Sequence, residues 1–262
     1  YMGYGETDRL QPFMPPLIGD KALNGRFLAS LPFGLTGAQQ RAAREILADL
    51  ARAQPMQRLL QGDVGSGKTV VSAWAALTAI GSGYQAALMA PTEILAEQHF
   101  RKLSALLAPL GIRVTWLTGS LKAAEKRAAL AEIATGHTQL AVGTHALFQA
   151  GVEFARLGLV VVDEQHRFGV GQRPALRGKG GKGADEGAEP HQLMMSPTPI
   201  PRTLSMSYLA DLDVSVIDEL PPGRTPVLTK LIADARRDEV LDRIRTAVAE
   251  GAQAYWVCPL IE

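Results

Sequence analysis

One cysteine, Cys258, stands in 262 residues. A disulfide framework is therefore excluded, and a single thiol fits a reducing compartment. No apolar run reaches about 18 residues, so no segment reads as a membrane-spanning helix. No charged-then-apolar leader opens the chain. A soluble, cytoplasmic protein without a membrane partner is expected. Charge of either sign is scarce in excess: the net is +1, so bulk electrostatics do not announce a nucleic-acid partner. The five histidines are scattered, and no spacing suits an all-protein metal site. Internal repeats are absent as well. Apolar residues, by contrast, make up 47%. That is enough for one large domain or one and a half.

Against this background one stretch is dense with glycine. Gly62-Asp63-Val64-Gly65-Ser66-Gly67-Lys68-Thr69 fits the phosphate-loop pattern G-x-x-x-x-G-K-[ST]. An apolar pair, Leu59-Leu60, can end a buried strand before it. The glycines let the backbone turn tightly and approach an anion with no Cβ in the way. The N–H groups of Gly65, Ser66 and Gly67 are expected to cradle phosphate oxygens. Val70 to Ile80 reads as a helix, and its positive N-terminal end adds to the anion site. Lys68 is expected to reach the β- and γ-phosphates of ATP, and Thr69 to offer its hydroxyl to Mg²⁺.

A second motif completes the chemistry. Leu159-Val160-Val161-Val162 is short and β-branched, so it reads as a buried parallel strand. Asp163 then falls at the carboxyl end, where open α/β sheets bind ligands. It is expected to hold Mg²⁺ through water. Glu164 is placed to orient or deprotonate an attacking water, a poor nucleophile at neutral pH without such a base. A lone Asp-Glu pair would be an ordinary acidic strand end; the phosphate loop upstream is what gives it meaning.

Strands and helices alternate along most of the chain. Residues 1–20 are rich in proline and glycine and read as a linker or lead-in. A helix opens at Phe33–Gln39 and runs to about Arg52. Strands are expected at Gln57–Gln61, Gln85–Ala90, Arg113–Leu117, Gln139–Val142, Leu159–Val162, Gln192–Met195 and Val214–Ile217. Helices are expected from Thr92 to about Ala108 and from Lys122 to about Ala134. The implied fold is α/β, a mostly parallel sheet with helices on both faces. Arg177 to His191 is rich in glycine and mixed charge, and reads as a flexible surface insertion. Pro221-Pro222-Gly223 marks a boundary, after which a fresh β-α-β pattern begins: Val227–Ile232, Ala235–Glu250, Ala254–Cys258. So short a piece buries too little to be a domain, and it is expected to be the start of a second α/β lobe.

Three further stretches carry a resemblance. Val162–Gln172 reads VDEQHRFGVGQ, Pro199–Leu204 reads PIPRTL, and Glu219–Pro226 reads ELPPGRTP. With the two nucleotide motifs, in this order, they resemble the RecG family of ATP-dependent DNA helicases in helicase superfamily two, across about residues 25–262. The resemblance implies a first RecA-like lobe at 21–222 and the beginning of a second at 223–262. It implies use of ATP and Mg²⁺ to move along duplex DNA and to remodel stalled forks and Holliday junctions, by a protein expected to be monomeric. The family's wedge domain and most of its second lobe, with the arginine fingers, lie outside the match.

The resemblance also assigns roles. Gln39 matches the family's adenine-reading glutamine, although Thr36-x-x-Gln39 equally fits a helix capping box. Pro91-Thr92 and Gly143-Thr144-His145 match motifs that hold a nucleic-acid backbone; each threonine could instead be a plain N-cap. Gln165 and His166 match residues that link nucleotide state to the DNA-facing motif at Ser196–Thr198, and Arg202 belongs to the conserved-looking PIPRT stretch. Where the family usually has Thr-Ala-Thr-Pro, this chain has Ser196-Pro197-Thr198-Pro199, and Pro197 removes a backbone N–H. Two alternatives accompany this reading. The motor of a transcription-repair coupling factor shares several of these stretches, but usually has Glu where Gln165 stands. A nucleotide-gated DNA-binding module without turnover is the other, and intact Lys68, Asp163 and Glu164 argue against it.

Overall fold

The computed structural model describes residues 13–149, 151–163, 188–197, 212–219 and 228–257. Contacts divide the chain into two units, Tyr1–Pro222 and Gly223–Glu262. The first holds a seven-stranded sheet: β1 (Gln57–Gly62), β2 (Gln85–Met89), β3 (Val114–Leu117), β4 (Leu140–Gly143), β5 (Leu157–Asp163), β6 (His191–Ser196) and β7 (Asp213–Ile217). Their spatial order is β3-β4-β2-β5-β6-β1-β7, and every pairing is parallel. Parallel neighbours need a crossover to return the chain to the same end. Here α3 (Lys68–Gly81), α4 (Glu93–Leu107) and α5 (Ala123–Ala134) occupy such positions, and α1 (Lys21–Ser30) and α2 (Gly37–Leu50) precede the first strand.

Strand alternation sends side chains to two separate cores. Leu60, Leu88, Val142, Leu159, Val161 and Met195 face a core closed by α1 to α4. Leu59, Ala87, Ala141, Val160, Val162 and Met194 face a second core with α5. Helices thus cover both faces, as the strand–helix alternation predicts. No described helix is long and apolar enough to cross a membrane.

The described end of the lead-in is ordered. Met14 and Leu17 are fully buried, Leu17 N–H donates to Leu50 O at 2.7 Å, and Met14 N–H donates to Ala53 O. Two apolar side chains on either side of Pro15-Pro16 suffice to anchor an extended segment. Likewise the described end of the insertion is packed: Ala188 and His191 are buried, and Glu189 N–H donates to Phe13 O.

The second unit is also simpler than expected. It has one helix, α6 (Arg237–Ala249), after a short 3₁₀ turn. Neither flanking segment, 228–233 or 252–257, is a strand. A strand exists only with a lateral partner to take its N–H and C=O groups, and these described residues have none. Arg237 instead stacks its guanidinium over the Trp256 ring at 5.7 Å.

Candidate nucleotide site and nucleic-acid face

The phosphate loop leaves β1 at Gly62 and enters α3 at Lys68. Gly65 and Gly67 have φ of 80° and 96°, a region that only glycine occupies without strain. Gly67 is also crowded: a Cβ there would overlap the Gln39 side-chain amide. Lys68 Nζ folds over the loop and donates to Gly62 O at 2.6 Å and Asp63 O at 2.9 Å. The two carbonyls thereby hold the ammonium above the loop. One expected donor is otherwise engaged. Ser66 N–H closes the turn on Asp63 O at 3.0 Å, as a reverse turn of this tightness requires. Ser66 Oγ is buried with no partner among the described residues.

Gln39 does more than cap. Its Oε1 accepts from Thr36 N–H at 2.9 Å and its N–H donates to Thr36 Oγ1, the full capping box. Its Nε2 donates to Ser66 O at 2.7 Å, a buried bond. The glutamine therefore locks the start of α2 to the phosphate loop. An amide has two donor hydrogens and two acceptor lone pairs, so one of each remains after these bonds. Glu219, just past β7, accepts from Ala38 N–H in the same helix turn, and Arg41 pairs with Asp218 at 2.6 Å. That guanidinium holds the Asp218 carboxyl below the usual carboxylate range.

A cavity of about 420 Å³ opens beside α2, lined by Leu28, Leu31, Phe33, Leu35, Arg44 and Trp74 among others. Trp74 Nε1 is buried with no partner among the described residues. The sequence signal for this cavity was Phe33, three residues before the capping Thr36; the structure leaves its ring half exposed.

The sheet order explains how the two nucleotide motifs meet. Asp163 of β5 pairs with Met195 of β6, and Ser196 of β6 pairs with Gln61 of β1. Asp163 and the loop are thus two strands apart on the same edge, roughly 10 Å. Ser196, the coupling candidate, ends the strand between them and is buried. Asp163 Oδ2 meets Nε2 of His99, on α4, at 2.6 Å, both side chains being 13% exposed. Sequence reasoning missed His99, which carries no motif of its own. Glu164, Gln165, His166, Thr198 and Arg202 lie outside the described residues.

The other half of the carboxyl edge belongs to β2, β4 and β3. Ala90 N–H donates to Gly143 O at 2.9 Å, which joins the Pro91-Thr92 and Gly143-Thr144 segments. Gly143 must be glycine because a Cβ would overlap Leu117 O of β3. Thr92 is the exposed N-cap of α4 and accepts from Leu95 N–H; its hydroxyl proton is still available to a phosphate. Thr144 departs from expectation. It is only 4% exposed, and its hydroxyl caps nothing; its carbonyl starts a 3₁₀ turn by accepting from Leu147 N–H. His145 beside it is exposed. Glu93 reaches across to Ser120, after β3, accepting from both its N–H and its hydroxyl.

Among the described residues no group of three or more His, Cys, Asp or Glu could hold a metal ion.

Comparison with known proteins agrees with the resemblance to RecG. The chain is 58% identical over 248 residues, 94% of its length, to the ATP-dependent DNA helicase RecG of Escherichia coli O127:H6. It is 50% identical over 95% of its length to RecG of Aquifex aeolicus. It spans only about a third of these relatives, 35% and 31% respectively. A solved structure of RecG bound to a three-way DNA junction superimposes with a TM-score of 0.82 at 42% identity, covering 95% of this chain and 32% of that one. A model of DEAD/DEAH box helicases matches residues 36–207. The chain belongs to the DEAD/DEAH box helicase family.

Proposed function

We propose that the protein is an ATP-hydrolysing motor that translocates on and remodels branched DNA, such as stalled forks and Holliday junctions, in a bacterial cytoplasm. The observation that carries this is the shared edge: the phosphate loop after β1 and Asp163 at the end of β5 flank the end of β6, beside a second group of polar strand ends. Similarity to RecG, including its complex with a three-way junction, supports the DNA substrate.

In this reading the triphosphate lies against the N-terminus of α3, neutralised by Lys68. Moving Lys68 Nζ from two carbonyls to phosphate oxygens exchanges neutral acceptors for charged ones, about twice as strong. Thr69 and Asp163 would hold Mg²⁺, which supplies charge neutralisation at the phosphates. Glu164 orients and deprotonates water. The base lies beside the start of α2, where Gln39 can use its remaining amide capacity. Thr92 and Ser120 meet backbone phosphates without sequence preference.

The test uses the intact protein. Lys68→Ala should abolish DNA-stimulated phosphate release and weaken nucleotide binding. Glu164→Gln should keep nucleotide affinity while hydrolysis drops by roughly 10²-fold or more. Unchanged turnover on forked DNA in Lys68→Ala would overturn the reading.

A further inference from the structure

We propose that His99 is a positioning residue: it ties the carboxylate of Asp163 to α4, so that Mg²⁺-nucleotide at one half of the sheet edge is felt by the nucleic-acid grip at the other. This rests on the nucleotide-site reading above.

The seam between the two halves is the β2–β5 pair. Among the described residues, the side-chain bond that crosses it at the carboxyl edge is His99 to Asp163, 2.6 Å long and mostly buried. Such a bond to a carboxylate is short and strong, because the acceptor carries charge and water is largely excluded. It also fixes the carboxyl group's rotation. A carboxylate has about four lone-pair sites, so an imidazole on Oδ2 is compatible with a metal-bound water on the same group. Partners of this kind, one step removed from the metal, typically change metal affinity 10- to 100-fold when lost.

The other end of the link is α4 itself. His99 lies seven residues beyond the N-cap Thr92, two helical turns and ~10 Å along the same face. Between them Glu93 grips Ser120 through two bonds. The helix is held unevenly. Its last turns are fixed by packing, with Leu103 and Leu107 fully buried and Phe100 against the Trp116 ring at 5.6 Å. Its first turns bury only the small Ala96 and otherwise rest on these polar contacts, which can be exchanged at small cost, whereas a packed core cannot shift piecemeal. A change at Asp163 therefore has a route to Thr92 and Ser120 that a change elsewhere lacks.

The experiment compares two variants in the intact protein. His99→Leu keeps bulk and loses the donor. His99→Gln keeps an N–H donor at comparable reach. Three quantities are read: the Mg²⁺ concentration for half-maximal ATP hydrolysis, affinity for ATP in EDTA, and the ratio of forked-DNA affinities with and without Mg²⁺ and a non-hydrolysable ATP analogue. His99→Leu should raise the Mg²⁺ midpoint about 10-fold, leave affinity in EDTA unchanged, and move the DNA ratio toward one. His99→Gln should restore both at an equal melting temperature. The proposal is overturned if His99→Leu leaves the Mg²⁺ midpoint or the ratio unchanged, if both variants are equally impaired, or if the wild-type ratio is already one. Asp163→Ala separates the two layers. If it does not alter the Mg²⁺ midpoint, the nucleotide-site reading fails as well; if it does and His99→Leu does not, only this inference fails.

Discussion

Removing the side chain of Gln39 tests whether the phosphate loop is held from α2. The amide makes two bonds beyond its own helix N–H: it accepts from Thr36 N–H and donates to Ser66 O. Gln39→Ala deletes both. Loss of the reverse half of a capping box costs about 0.5–1 kcal/mol. Leaving the buried Ser66 carbonyl without its donor costs about 1–2 kcal/mol. The sum, about 2 kcal/mol, corresponds to a fall in melting temperature of about 4–8 °C for a unit of this size. If the Ser66 share is expressed in the loop's fit to phosphate, nucleotide affinity falls about 5- to 30-fold. Thr36→Ala is the control. It removes the forward cap bond, costing about 1 kcal/mol, but leaves Gln39 on Ser66. Thermal melts and titration with a fluorescent ATP analogue separate the two effects. Both variants should lose stability, and only Gln39→Ala should lose affinity beyond what its stability loss predicts. Equal nucleotide affinity in Gln39→Ala and Thr36→Ala would refute the view that the glutamine holds the loop.

Three other outcomes follow from the geometry. His191 is fully buried in β6 and its Nδ1 accepts from Met56 N–H at 2.9 Å, so the ring is neutral; burial pushes its pKa down to about 4. The unfolded chain, near 6.5, takes the proton first, so this contribution is complete above pH 6.5 and is lost as pH falls through 4, about 3 kcal/mol in all; urea unfolding of wild type and His191→Gln at pH 7, 5.5 and 4 should show a steeper acid loss in wild type. Arg58, 11% exposed, bonds Asp49 at 2.7 Å and Ser215 at 2.9 Å; Asp49→Ala removes its nearest carboxylate but leaves Glu45 at 3.6 Å and Asp213 at 3.7 Å, so it should cost less than the about 3–5 kcal/mol of a fully stranded charge, and Asp49→Leu with Arg58→Met should recover most of it in the same unfolding assay. By the resemblance to RecG the arginine fingers belong to the second lobe, outside the match, and such a residue is worth about 10³ to 10⁵ in rate, so residues 1–262 made alone should show almost no DNA-stimulated phosphate release; robust stimulation would mean one lobe suffices.

The sheet was legible because parallel buried strands read as apolar runs and their helices as periodic ones. Each of β1 to β7 falls within two residues of its sequence-based bounds. The signals for α1 were weaker: Gly25 interrupts it, and its apolar pair Leu23 and Phe27 is short. Asp20, which accepts from Ala22 N–H, was the available start signal. The strands expected at Val227–Ile232 and Ala254–Cys258 are absent over their described residues, 228–232 and 254–257, for a different reason. Propensity describes a segment, whereas a strand also needs an edge to pair with. At the site, motifs located the loop and Asp163, because phosphate chemistry fixes residue type and spacing together. They did not locate His99 or Trp74, whose parts depend on which helix packs over which strand end. Thr144 shows the converse: a threonine after a strand satisfied the pattern, yet the chain turns it inward.

Under the proposed motor function, the order of the strands bears on how hydrolysis and movement would be linked. In β5-β6-β1 the middle strand touches both halves of the nucleotide site, Met195 level with Asp163 and Ser196 level with Gln61. Any displacement of the β6 end must therefore change the separation of the phosphate loop from the acidic strand, because both are bonded to it laterally. The chain leaves β6 through Pro197 toward the PIPRT stretch. Proline fixes φ near −65° and offers no N–H, so the exit from the strand is stiff and Pro197 itself cannot add a backbone donor to either neighbour. A stiff exit transmits a displacement that a flexible one would absorb. On the opposite side of β5 the corresponding connection is a side-chain bond, His99 to Asp163, which can break and re-form. The acidic strand thus sits between one rigid coupling and one exchangeable one. Under the proposed motor function, that asymmetry would let the nucleotide site stay assembled against β1 while the α4 side responds to what is bound there.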